Sequence, residues 1–164
     1  MERDTIRLRK IRSEDVDDLE RIVTDPEATR YIQGLITDHD MLLGWIESLT
    51  ENDHEYIVEL SDGTIIGECS LAVTRDTGDI GYILLPTHWR KGYGTTVIYA
   101  LLIIASRLGL SMVTAVTDTN NTASVRLLEK TGFVAYRQGW MMHLSEEDKE
   151  RIEDQSIVEY RRPL

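Results

Sequence analysis

Between Asp79 and Gly109 the chain runs DIGYILLPTHWRKGYGTTVIYALLIIASRLG, and this stretch constrains the fold more than any other. It reads as a strand, a basic glycine-rich turn and a long apolar helix. Such a turn presents backbone N–H groups and positive charge to an anion at a helix N-terminus. The expectation is a phosphate-bearing ligand between Trp89 and Thr95, with a second substrate placed near its far end. The helix, Thr95–Arg107, is apolar nearly all round, with Val97, Ile98, Leu101, Leu102, Ile103 and Ile104. It is therefore covered on most sides, by the fold or by a partner subunit.

The segments before it have their own periods. Thr5–Ile11 alternates as a first strand, with Ile6 and Leu8 inward and Arg7 and Arg9 outward. Ser13 caps a helix carrying Val16, Leu19, Ile22 and Val23, stopped at Asp25-Pro26. A second short helix opens at Asp38 or Asp40 and carries Leu42, Trp45, Ile46 and Leu49. Glu55–Leu60 and Thr64–Val73 flank Ser61-Asp62-Gly63, a tight-hairpin signal. A turn at Arg75–Gly78 leads to the strand Asp79–Leu85, whose pairing Pro86 ends.

After the apolar helix, Gly109 supplies its C-terminal stop and Ser111–Thr117 reads as a strand. A helix over Asn120–Thr131 ends at Gly132. Phe133–Leu144 begins as a strand with Gly139 as a bulge position. Ser145 caps a charged helix to about Asp154, and Ser156–Tyr160 closes as a strand. An antiparallel meander followed by a βαβ crossover makes a mixed sheet with helices on both faces, class α/β or α+β.

Three phosphate motifs compete at the glycine turn. The P-loop pattern is absent. A dinucleotide fingerprint needs a third glycine, but Gly92-Tyr93-Gly94-Thr95-Thr96-Val97 ends in Val, and it follows an antiparallel meander. An ordinary strand-to-helix loop is the third reading, and Arg90-Lys91 beside two glycines argues against it.

Trp89-Arg90-Lys91-Gly92-Tyr93-Gly94 resembles the [QR]-x-x-G-x-[GA] signature of the GNAT superfamily of acetyl-coenzyme A-dependent N-acetyltransferases, with Trp89 departing from Gln or Arg. A Trp there is similar to the branch of ribosomal-protein N-terminal acetyltransferases (RimJ/RimL-like). Further on, Asn121-Thr122-Ala123-Ser124 through Lys130-Thr131-Gly132-Phe133 resembles that family's N-x-x-S-x-x-x-x-x-K-x-G-F. The resemblance covers roughly Leu8 to Phe133, and the tail from Gln138 departs from the pattern. It implies the GNAT fold: about seven strands, mostly antiparallel, in one domain over residues 1–164.

The resemblance also implies site residues. Turn amides from Arg90, Lys91, Gly92, Tyr93, Gly94 and Thr95 would hold the pyrophosphate of acetyl-CoA. Backbone of Ile83, Leu84 and Leu85 would pair with pantetheine, and an N–H there would stabilise the carbonyl oxygen. Asn121 reaches pantetheine in the family, and it also suits a plain N-cap. Ser124 would protonate or orient the leaving thiolate, because Leu128 stands where many members carry Tyr.

From the residues alone, Glu68 is the candidate base, since Glu68 and Ser70 share a parity opposite to Cys69 and Leu71. Solvent exposure is the competing reading for Glu68. Tyr82 and Asp79 are lesser candidates. Tyr31, Trp45 and Trp140 are candidates to line the acceptor cleft, with core packing as the alternative. No Cys/His spacing points to zinc, so no metal is expected.

The expected reaction is direct acetyl transfer to a primary amine, with a protein N-terminal amine first. A polyamine or amino sugar, or a non-catalytic acyl-CoA-binding module, is the alternative. The formal net charge of −11 argues against nucleic-acid binding and fits a cationic partner as well as simple solubility. No membrane span, apolar leader or pair of cysteines is present, so the expected location is cytoplasmic. A homodimer is expected from the apolar helix and the resemblance.

Overall fold

The computed structural model describes residues 5–140 and 156–164. In chain order these form β1 (Ile6–Lys10), α1 (Val16–Val23), α2 (His39–Ser48), β2 (Glu55–Leu60), β3 (Ile65–Thr74) and β4 (Thr77–Leu84). Then come α3 (Tyr93–Arg107), β5 (Met112–Asp118), α4 (Thr122–Lys130), β6 (Val134–Trp140) and β7 (Ser156–Pro163). The helix expected over Ser145–Asp154 lies outside the described residues.

The strands make one seven-stranded sheet in the order β1-β2-β3-β4-β5-β7-β6. All neighbours are antiparallel except β4 and β5, which the α3 crossover makes parallel. Alternation along each strand sends side chains to opposite faces. On one face Val58, Ile66, Cys69, Leu71 and Ile80 pack with Val97, Ile98, Leu101, Leu102 and Ala105 of α3 and Leu128 of α4. On the other, Ile57 meets Leu19 and Val23 of α1 and Leu42 and Ile46 of α2, while Ile83 meets Ile22.

Several expectations shift in detail. α3 starts two residues earlier than Thr95, so Tyr93, Gly94 and Thr95 form its first turn and Gly92 is its N-cap. Its apolar surface is mostly core: Val97, Ile98, Leu101, Leu102 and Ala105 are buried, and Tyr99 and Ile103 are exposed. The turn after β3 is tighter than Arg75–Gly78, because Thr74 already stands opposite Thr77. The bulge in β6 falls between Ala135 and Arg137 rather than at Gly139. Arg9 does not point to solvent. It bonds Asp15 through Nη1 (2.9 Å) and Nη2 (2.8 Å), and Asp15 and Glu59 are both buried. Two acidic partners in a low-dielectric setting satisfy that guanidinium.

β4 and β5 stay together only briefly. Thr77, Gly78 and Asp79 pair with Met112, Val113 and Thr114, and beyond them no β4–β5 pairing continues. β4 runs on to Leu84, while β5 remains paired with β7 as far as Asp118. A wedge therefore opens along β4 after Asp79, where Thr114 Oγ1 donates to Asp79 Oδ1 at 2.6 Å.

Candidate active site

The wedge exposes backbone polar groups in a defined order. Leu85 N–H donates to Ile66 C=O at 2.8 Å, toward β3. Antiparallel partners exchange bonds at every second residue, so Ile83 and Gly81 also turn their polar groups toward β3. The N–H and C=O groups of Tyr82 and Leu84 turn the other way, into the wedge. Of the expected arm-binding residues, Leu84 thus faces the gap and Ile83 and Leu85 do not. Tyr82, outside the expected range, faces the gap as well, for a reason of register that no sequence pattern carries.

At the mouth of the wedge the chain makes a short 3-10 turn, Pro86–His88, and reaches Trp89. Arg90 (φ 60) and Gly92 (φ 86) both adopt left-handed backbone, and α3 begins directly afterwards. The first-turn N–H groups of Tyr93, Gly94 and Thr95 have no intrahelical acceptor by position. Arg90 and Lys91 are exposed beside them. Gly94 lies so close to α4 that an added Cβ would sit 2.8 Å from Leu127 Cδ2. Free amides, a helix N-terminus and two cations are the parts of an anion site, and they fit a pyrophosphate.

Side chains flank the gap on both sheet faces. On the α3/α4 face, Tyr82 and Ser124 share a hydrogen bond of 2.8 Å between their hydroxyls. Ser124 is fixed by its helix start, where its N–H donates to Asn121 Oδ1 at 3.1 Å. Asn121 thus acts as the N-cap, and its side-chain NH2 stays available. Burial pushes the Tyr82 phenol up, which keeps it a proton donor, and the Ser124 bond partly offsets this. Leu128 is buried in the core.

On the α1/α2 face, Glu68 stands opposite Ile83, beside the open part of β4. Glu55, which the sequence reading passed over, lies on the same face opposite Ser70 and diagonal to Glu68. Its parity with Glu68 across the hairpin is the signal that would have found it. Neither carboxylate has a hydrogen-bond or ion-pair partner among the described residues. Burial first, and then the neighbouring Glu55 charge, push Glu68 up to about 8. Burial, then Asp53, push Glu55 up to about 7, with Lys10 opposing. Glu55 also lines a cavity of about 530 Å³ with Glu47, Glu51 and Asp53 and the basic Lys10 and Arg12.

Trp45 packs against the α1/α2 cluster, and Tyr31 is half-buried with Arg30 over its ring. The side chain of Trp140 lies outside the described residues. Cys69 is buried and its thiol is pushed well up by burial, which suppresses the nucleophilic thiolate. Asp17, Glu20 and His39 bring ligand atoms within 4.8 Å of one another near the surface. There His39 Nδ1 and Glu20 Oε2 are 2.7 Å apart.

The chain and its fold have counterparts among known proteins. The acetyltransferase (GNAT) domain profile matches residues 5–134. YoaA of Bacillus subtilis (strain 168), an uncharacterized N-acetyltransferase, is 34% identical over 146 residues, covering 81% of this chain and 81% of the relative. A GNAT-family acetyltransferase from Bacillus anthracis superposes with a TM-score of 0.81 at 18% identity, covering 99% of this chain and 97% of that one. The spermidine N-acetyltransferase of Vibrio cholerae, solved with CoA and spermine, gives 0.81 at 18%, covering 96% and 95%. At such identities the two structures show the fold. The domain match and the curated relative show the family: the chain belongs to the GNAT family of N-acetyltransferases.

Proposed function

We propose that the chain transfers an acetyl group from acetyl-CoA directly to a primary amine, in the gap between β4 and β5. One observation carries this reading: the open edge of β4 has an unpaired carboxylate, Glu68, on one sheet face and the hydroxyl pair Tyr82–Ser124 on the other. Acetyl-CoA supplies the acyl group as a thioester. The Arg90–Thr95 turn holds its pyrophosphate, and the wedge-facing groups of Tyr82 and Leu84 hold its arm. One of their N–H groups stabilises the carbonyl oxygen. The amine attacks the carbonyl carbon from the α1/α2 side and its proton goes to Glu68. The C–S bond breaks toward the opposite face, where Ser124, backed by Tyr82, orients or protonates the sulfur. Because a thiol has a pKa near about 8.5, this last step needs little assistance. The buried Cys69 offers no acyl-enzyme route, in keeping with direct transfer.

The acceptor we favour is a small cationic amine. Glu55 and Glu68 together suit an ammonium group, Glu55 stands on the wall of a cavity where acidic residues outnumber Lys10 and Arg12, and a protein of the same fold is a spermidine N-acetyltransferase. A peptide N-terminus is the second reading, supported by the Trp89–Gly94 resemblance to ribosomal-protein acetyltransferases. Thiol release from acetyl-CoA, measured with spermidine, simple alkylamines, amino sugars and short peptides, tests both. Acetylation of spermidine with a salt-sensitive KM is expected. Selective acetylation of peptide N-termini would favour the second reading. Binding of acetyl-CoA without release under any amine would overturn catalysis.

A further inference from the structure

Trp89 occupies the one position of the glycine-turn signature where this chain departs from Gln or Arg, and the structure gives its side chain a single polar contact. The indole Nε1–H donates to Leu84 C=O at 2.7 Å. Trp89 as a whole is 41% exposed, so it is not a core residue, and the indole N–H bond is the specific tie that places it. Leu84 is the last residue of β4, and its carbonyl points into the wedge, where no β5 partner meets it. Between the two ends of this bond the chain turns through Pro86–His88, with His88 N–H on Leu85 C=O at 2.9 Å and Trp89 N–H on Pro86 C=O at 3.1 Å. Immediately after Trp89 comes Arg90, one of only two non-glycine residues with positive φ among the described residues. That backbone is unfavourable for a residue bearing a Cβ and persists only where its surroundings enforce it. On the far side of the turn, the His88 and Tyr93 rings lie 6.4 Å apart, so the turn is braced at both flanks.

We propose that Trp89 is a positioning residue for cofactor binding: its indole ties the end of β4 to the turn and so holds Arg90 and Gly92 in the conformation that presents the turn amides to a pyrophosphate. The same bond occupies the Leu84 carbonyl, leaving Tyr82 N–H, Tyr82 C=O and Leu84 N–H as the groups at the gap for the pantetheine arm. This inference rests on the reading that the turn binds acetyl-CoA.

The test is a cycle of four proteins, wild type, Trp89→Phe, Arg90→Gly and the double variant. For each, the Kd for CoA is measured by calorimetry, and the KM for acetyl-CoA and kcat by thiol release. Trp89→Phe weakens CoA by about tenfold and raises the acetyl-CoA KM by a similar factor, with kcat within about threefold, because the transfer groups lie beyond the turn. In the Arg90→Gly background the same change costs about threefold or less, because glycine holds positive φ without the tie. Replacing Trp89 by benzothienylalanine, which exchanges the N–H for sulfur in an otherwise matching ring, repeats the comparison with packing preserved should Trp89→Phe fold poorly. Unchanged CoA affinity without the N–H overturns the proposal. So does an equal loss in both backgrounds, or a fall in kcat at constant KM. A wild-type chain that does not bind CoA would overturn the cofactor reading itself, and this proposal with it.

Discussion

For Glu68, the proposed role as base and the stability of the fold pull against each other as pH changes. Its carboxyl is raised from about 4.5 to about 8 by burial and by Glu55, which favours the neutral form at neutral pH. As the proposed base, Glu68 should make kcat/KM rise with pH as it loses its proton. Glu68→Gln should lower turnover by about 100-fold or more and flatten that rise; an unchanged pH profile would remove Glu68 from the role of base. The linkage runs the other way for folding. A raised carboxyl binds more protons folded than unfolded, so its contribution to stability is greatest at low pH and is lost as pH rises from about 4.5 through 8. Glu68→Gln should therefore raise the melting temperature at pH 8 by about 2–4 °C while changing it little at pH 5, readable by scanning calorimetry. For the thiolate side, Ser124→Ala and Tyr82→Phe should each cost less than about tenfold in kcat. The double variant should cost little more than either, since one hydrogen bond joins them. Strand parity was enough to single out Glu68 as a candidate and motif spacing enough to single out Ser124, and the structure places both beside the open part of β4. The Tyr82–Ser124 bond was not legible in the sequence, because it joins residues 42 apart in the chain and depends on how α4 lies on the sheet. Arg9 was misread for a related reason, since an outward basic residue and one buried against Asp15 have the same alternation.

The elements that build the site are held at close backbone approaches. Gly67 of β3 is the tightest: a Cβ there would fall 2.2 Å from the Ile83 carbonyl oxygen and 3.1 Å from Leu84 Cα. These are backbone atoms of the strand edge that forms the wedge, so they cannot swing aside as a side-chain tip would. Gly67→Ala should destabilise the fold by about 1–3 kcal/mol in urea unfolding and should also raise the acetyl-CoA KM, because β4 must move. Gly94→Ala meets only Leu127 Cδ2, the end of a flexible side chain, and should cost less than Gly67→Ala in the same assay. The β2–β3 hairpin and the stop of α3 were readable from Asp62-Gly63 and Gly109, where local chemistry decides the conformation. The start of α3 was not, because Tyr93 and Gly94 are poor helix openers by propensity and the left-handed Gly92 N-cap sets the boundary. Which of residues 82–85 face the wedge was equally hidden, since hydrogen-bond alternation depends on pairing register.

Across the whole molecule, the crossover from β4 through α3 to β5 makes the gap, and the two faces of the sheet present different groups beside it. α1 and α2 cover the face of Glu68 and Glu55, and α3 and α4 cover the face of Tyr82 and Ser124. A homodimer, expected from the apolar α3, would form on what the core leaves uncovered there, Tyr99 and Ile103. Light scattering should then report a dimer that Ile103→Glu converts to monomer, and a monomeric wild-type chain would dismiss it. Among the described residues no helix is long and apolar enough to cross a membrane. The central claim is the division of labour across the open edge of β4, and a crystal structure with CoA bound tests it most directly. The account predicts pyrophosphate on the amides from Arg90 to Thr95, the arm along Tyr82 and Leu84, and the sulfur within hydrogen-bond distance of Ser124 Oγ, with Glu68 across the gap. Coenzyme A bound elsewhere, or with its sulfur directed away from Ser124 and Glu68 alike, would contradict it.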